Sequence, residues 1–191
     1  MTRNFTPELK EFKRHRELVC VRRAGVDAHY IQGFILNFSH DLVLLHYVFD
    51  FHLDGFLLLR RSDLTSVEVR KTDRFQRSLL DEEGVLSRVD YGYHAPIESY
   101  GAFLTWLPPN EIVILEDELL QEKDFLIGTV SSVTDSTVSV RYFSGAANWL
   151  DEPWEMDLSR ISSCQVRTNY TQFYTRHFER SGYFHVENQS L

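Results

Sequence analysis

The sequence predicts a mainly β chain: two tandem copies of a five-stranded small barrel, with a few short helices. Three observations carry this. Apolar positions recur at matched spacings after two glycines, short alternating segments are separated by turn residues, and an aromatic, proline-containing stretch divides the two series.

The first series is counted from Gly33 and the second from Gly128. Ile35 and Val130 stand at the same distance from their glycines, as do Phe38 and Val133, Val43 and Val138, and Leu45 and Val140. The alternation after each glycine is the period of two expected of a strand with one buried face. A glycine inside such a pattern marks a bent strand or a close backbone approach. Upstream of each glycine lies an apolar run, Leu18–Val21 in one series and Ile112–Leu115 in the other. Downstream, Asp63-Leu64-Thr65-Ser66-Val67 is matched with Asp157-Leu158-Ser159-Arg160-Ile161. In the first copy the strands are expected at 18–22, 29–37, 42–51, 55–60 and 66–70, with Asp54-Gly55 at a hairpin turn. The second copy is expected from about Glu111 to Arg167.

Helices are expected at three places. Thr6-Pro7 supplies an N-cap and a first-turn proline for a helix reaching Glu17. A short helix is expected over 73–80, and Tyr170, Phe173, Tyr174 and Phe178 recur with helical spacing after the second barrel. The organisation is therefore 1–81 for the first helix and barrel, 82–110 for the junction, and 111–191 for the second barrel and its helix.

Composition narrows the function classes. The 191 residues are 43% hydrophobic and 14% aromatic, enough for a packed core. The apolar runs fall short of a bilayer span, and the charged start does not read as a signal peptide, so a cytoplasmic protein is expected. Cys20 and Cys164 lie in apolar strand-like segments and suit reduced structural thiols. Residues 1–81 hold 13 Lys and Arg against 11 Asp and Glu, whereas 82–191 hold 7 against 17. The acidic second part repels phosphate, so a nucleic acid would have to meet the first.

Gly33, Phe38, Val43 and Leu45, followed by Asp63-Leu64-Thr65-Ser66-Val67, resemble the two sequence blocks of the Sm-like, SH3-like small barrels, most nearly the bacterial branch that includes RNA chaperones. The likeness covers about 50 residues in each copy. It implies a five-stranded barrel that associates through strand edges, and RNA binding near its last strand. Where those chaperones carry Tyr-Lys-His, this chain has Arg60-Arg61-Ser62, and its second copy has Trp154-Glu155-Met156. Candidate nucleic-acid contacts are Arg60 and Arg61 on that strand, and Arg22 and Arg23 of the basic N-terminal segment that also holds Lys10, Lys13, Arg14 and Arg16.

Catalytic signals are weak. His40, His46 and His52 recur at intervals of six, but a turn between the first two separates their faces. No metal-ligand pair, nucleophile elbow or phosphate-binding glycine loop accompanies them. No catalytic, cofactor-binding or metal-binding residue is assigned. The expected function is a non-catalytic binding or assembly module that contacts protein, itself or another, through strand edges, with Tyr91, Tyr93, Trp106, Trp149 and Trp154 as candidate partner contacts. RNA binding is the second reading and an enzyme the third.

Overall fold

The computed structural model describes residues 4–118 and 124–186. Its ten strands are β1 (Leu18–Arg23), β2 (Asp27–Phe38), β3 (Leu42–Phe49), β4 (His52–Arg60), β5 (Ser66–Glu68), β6 (Ile112–Asp117), β7 (Asp124–Val133), β8 (Thr137–Tyr142), β9 (Trp154–Asp157) and β10 (Ser163–Val166). The helices are α1 (Thr6–His15), α2 (Lys71–Glu82), α3 (Tyr100–Trp106), α4 (Asn169–Arg180) and α5 (Tyr183–Val186). The mainly β expectation holds. In place of two separate barrels, the ten strands form one open antiparallel sheet of order β5-β1-β2-β3-β4-β10-β6-β7-β8-β9, leaving β5 and β9 as its edges.

The pairing register follows the same plan through both halves of that sheet. Gly33 faces Val19 on one side and Tyr47 on the other, and Gly128 faces Val113 and Tyr142. A bulge lies between Ile35 and Asn37, and another between Val130 and Ser132. Such bulges bend a strand and raise its twist. The two glycines are needed because backbone passes where a side chain would stand. A Cβ on Gly33 would lie 2.7 Å from the His46 carbonyl oxygen, and one on Gly128 only 2.0 Å from that of Arg141.

Three details of the sequence reading change. Asp54-Gly55 is not the hairpin turn. Asp50 and Phe51 form it, with φ of 46° and 63°, and Gly55 lies inside β4, where the neighbouring backbone requires it. The 3₁₀ turns Arg61–Asp63 and Leu158–Arg160 occupy matching places, so Leu64 corresponds to Ile161 and Asp63 to Arg160. The match of Asp63 with Asp157 was out of step because the β8–β9 connection is longer than the β3–β4 one. The junction also contains α3, which its proline and glycine content concealed.

Alternate residues of β1 to β5 point into one core, formed by Val19, Val21, Ile35, Val43, Leu45, Leu57, Leu59, Leu64 and Val67 and closed by Leu9 of α1. An ion pair shows that the sheet is curled. Arg23 at the end of β1 donates to both carboxylate oxygens of Glu118, just past β6, at 2.7 and 3.0 Å. Four strands separate β1 from β6, and a flat sheet would hold them roughly 24 Å apart at the usual spacing. Curling brings them together.

The glycine requirement is directly testable. Gly128→Ala is expected to lower stability to urea by roughly 1–3 kcal/mol, the usual cost of forcing extra volume into a packed site. Gly145→Ala, which meets nothing within 4 Å, is the control and should stay within about 0.5 kcal/mol of the parent.

Candidate functional site at the sheet junction and its free edges

The two halves of the sheet meet along β4 and β10. Phe56, Leu57, Leu58 and Leu59 pair with Val166, Gln165, Cys164 and Ser163. Three side groups make this edge-to-edge contact specific. Gly55 lets the backbone of Val166 and Arg167 approach, since a Cβ there would lie 2.4 Å from both. Arg60 closes the other end, its Nη2 donating to the carbonyl oxygens of Ser159 and Ile161 at 2.7 and 2.6 Å. Tyr100 of α3 lies across the seam, its hydroxyl within 3.4 Å of the Leu58 carbonyl and 3.1 Å of the Ser162 carbonyl. Its burial raises the phenol pKa well above the ordinary value, so it stays a protonated donor.

The residues of 82–110 seal the outer face of β4. Tyr93 stacks on Phe56 with ring centroids 3.7 Å apart and planes 7° from parallel. His46, on β3, is buried beside Phe56, and its Nδ1 accepts the Asp90 backbone N–H at 3.1 Å. Burial lowers the His46 pKa, with the Asp90 carboxylate opposing more weakly. The neutral ring is the one that can accept this bond.

The candidate nucleic-acid residues do not form a basic surface. Arg23 is 3% exposed and occupied by Glu118, and Arg60 is occupied by the seam. Arg61 donates to the Ser39 carbonyl and to Thr6 Oγ1. An open cleft of about 740 Å³ lies beside Arg60 and Arg61, but its two guanidinium groups already hold the fold. Arg22 alone of the four is exposed.

The candidate partner aromatics divide similarly. Tyr93 is buried, Tyr91 lies under the Arg16 guanidinium, and Trp149 is stacked on Tyr183 and packed against Phe143 and Phe178. Trp106 and Trp154 remain 42% and 49% exposed. Trp154 opens the edge strand β9, whose neighbours Glu155 and Asp157 are exposed as well. At the other edge, β5 pairs with β1 through Ser66, Val67 and Glu68. The sequence does not reveal Gly55 and Tyr100 as seam residues, or His46 as a buried acceptor beside Phe56, because their roles depend on contacts distant in the chain.

His40 lies on an exposed bend and His52 is the exposed first residue of β4, while His46 is buried, and among the described residues no group of three His, Cys, Asp or Glu is placed to hold a metal. Burial raises the Cys20 and Cys164 thiols above their ordinary pKa, which suits inert core thiols. Among the described residues no helix is long and apolar enough to cross a membrane.

The His46 contact carries a pH signature. Its folded pKa lies below the ordinary 6.5, so the unfolded chain takes up a proton that the folded chain refuses. The associated stability is present above that value and declines as pH falls through it. Urea midpoints measured from about pH 7.5 down to about 5.5 should fall in the parent, with a shallower slope in His46→Gln. No protein-family model, no curated protein and no solved structure matches this chain.

Proposed function

We propose that the chain is a non-catalytic module for protein–protein contact, built from two fused Sm-like five-stranded units and acting through its free strand edges. The single observation that supports this most is the β4·β10 seam. It joins the fourth strand of one half to the fifth strand of the other by main-chain pairing. The edges left over are a fifth strand, β5, and a fourth strand, β9. Each half therefore offers the kind of edge that the fold already uses to bind its neighbour, and strand addition supplies affinity through backbone hydrogen bonds. The matched registers, bulges and glycines support the duplicated-unit reading, and the curled core of β1 to β5 supports a barrel-like unit. The internal engagement of Arg23, Arg60 and Arg61 weakens the RNA reading.

Proline substitution tests this at both edges. Consecutive N–H groups in a strand face opposite sides, so one of Val67→Pro and Glu68→Pro removes an outward donor of β5. Trp154→Pro and Glu155→Pro do the same for β9. Proteins that co-purify with the parent chain should be lost from at least one member of a pair that still folds by circular dichroism. Retention by all four folded variants would overturn the reading. Salt-sensitive binding of a short labelled RNA, lost in Arg22→Glu, would favour RNA instead.

A further inference from the structure

We infer that the β5 edge receives an extended segment of a different protein that ends on an arginine, and that a second copy of this chain is excluded. The inference rests on the edge-contact reading above and names the partner's chemistry.

β5 and β10 stand in the same relation to their own halves. Glu68, Val67 and Ser66 pair with Cys20, Val21 and Arg22, just as Gln165, Cys164 and Ser163 pair with Ile114, Leu115 and Glu116. The outer side of β5 is thus the counterpart of the side that β10 presents to β4. On β10 that side is met by Gly55, by four pairing residues and by Arg60. The carbonyls that Arg60 binds, on Ser159 and Ile161, correspond on the first half to those of Ser62 and Leu64. An incoming strand that repeats this contact needs a cationic fork beyond Ser66; the seam's glycine does not carry over, because Arg167, whose backbone crowds Gly55, has a φ of 55° whereas its counterpart Arg70 is extended at −85°. Arginine supplies such a fork with two donors in one plane.

The strand a second copy would offer is β9. Leu42 pairs with Arg60 and Leu45 with Leu57, while Thr137 pairs with Asp157 and Val140 with Trp154. By that register Asp157 stands where Arg60 stands, Pro153 where Phe56 stands, and Glu152 where Gly55 stands. Two of these changes oppose pairing: Pro153 has no N–H to give, and Asp157 turns a carboxylate toward two carbonyl oxygens. Asp63, between Ser62 and Leu64, adds a charge of the wrong sign for it. The acidic β9, with Pro153 just before it, guards the molecule against polymerising with itself, and discrimination of this kind comes from the repulsive element.

Two measurements test the inference. In fluorescence anisotropy, a labelled Lys-Lys-Gly-Phe-Leu-Leu-Leu-Arg peptide should bind at least about tenfold more tightly than a twin with Arg→Asp, because a charged hydrogen bond accounts for the loss. Binding should disappear in Val67→Pro or Glu68→Pro and survive Glu155→Pro. In light scattering the parent should remain at 22.5 kDa, whereas the combined Glu152→Gly, Pro153→Phe and Asp157→Arg variant should assemble with concentration. Asp157→Arg alone serves if the combined variant does not fold, and should also raise the mass. Equal binding of the two peptides, no binding, or association of the parent through β5 would overturn the inference. Partner loss in the edge variants alongside peptide failure would remove this partner chemistry while leaving the edge reading standing.

Discussion

The pairing of β4 with β10 is the constraint on which the rest of the molecule depends. It turns two five-stranded halves into one sheet, and it depends on residues that permit it at either end: Gly55, which has no Cβ to obstruct Arg167, and Arg60, which satisfies the Ser159 and Ile161 carbonyls. Hydrogen bonds from a charged donor are stronger than neutral ones, and two carbonyls at a strand entry would otherwise need other partners. The connecting segment then finds its place on the seam. Tyr100 bridges both sides of it, and Tyr93 covers Phe56. A segment that composition marks as a linker is thereby part of the core.

Curvature is the second consequence. Bulges and obligate glycines at matching places bend β2 and β7, and the curled sheet encloses the Val19–Val67 cluster on the first half. The Arg23–Glu118 pair, with both side chains nearly excluded from solvent, ties the end of β1 to the second half across that curl. A buried ion pair contributes little net stability compared with a well-packed apolar substitute, yet losing one partner leaves a charge stranded. Its role in this fold is to fix geometry. The helices complete the covering: α1 caps the first core, while α4 and α5 bury Ile112, Ile114 and Ile127 beneath Phe178 and Phe184.

Much of this was legible in the sequence, for definable reasons. Period-two alternation and the spacing from Gly33 and Gly128 are local signals, and they placed the strands within a few residues. The glycines were correctly read as sites of close approach. Gly55 was misread because Asp-Gly is a strong turn signal, while the contact that requires glycine there comes from Arg167, more than a hundred residues away. Arg60 and Arg61 looked like surface charge for the same reason: a sequence does not reveal that carbonyl oxygens await them. Fusion of the two halves into one sheet was likewise invisible, since edge pairing depends on backbone groups that every residue carries. Differences in side chains become informative only after the register is known, when Asp157 is found in the place of Arg60 and Glu152 in that of Gly55.

The seam is as integral to the fold as the strands on either side of it. Residue-resolved amide hydrogen exchange measures this directly. The seam amides of Leu57, Leu58 and Leu59 on β4, and of Cys164, Gln165 and Val166 on β10, should exchange only through global unfolding wherever they are hydrogen-bonded, with the same opening free energy as the protected amides of Leu44 and Val140 within the halves. A lower opening free energy confined to the β4·β10 amides would mean that the halves separate as independent domains, and would contradict the seam as the structure's organising contact.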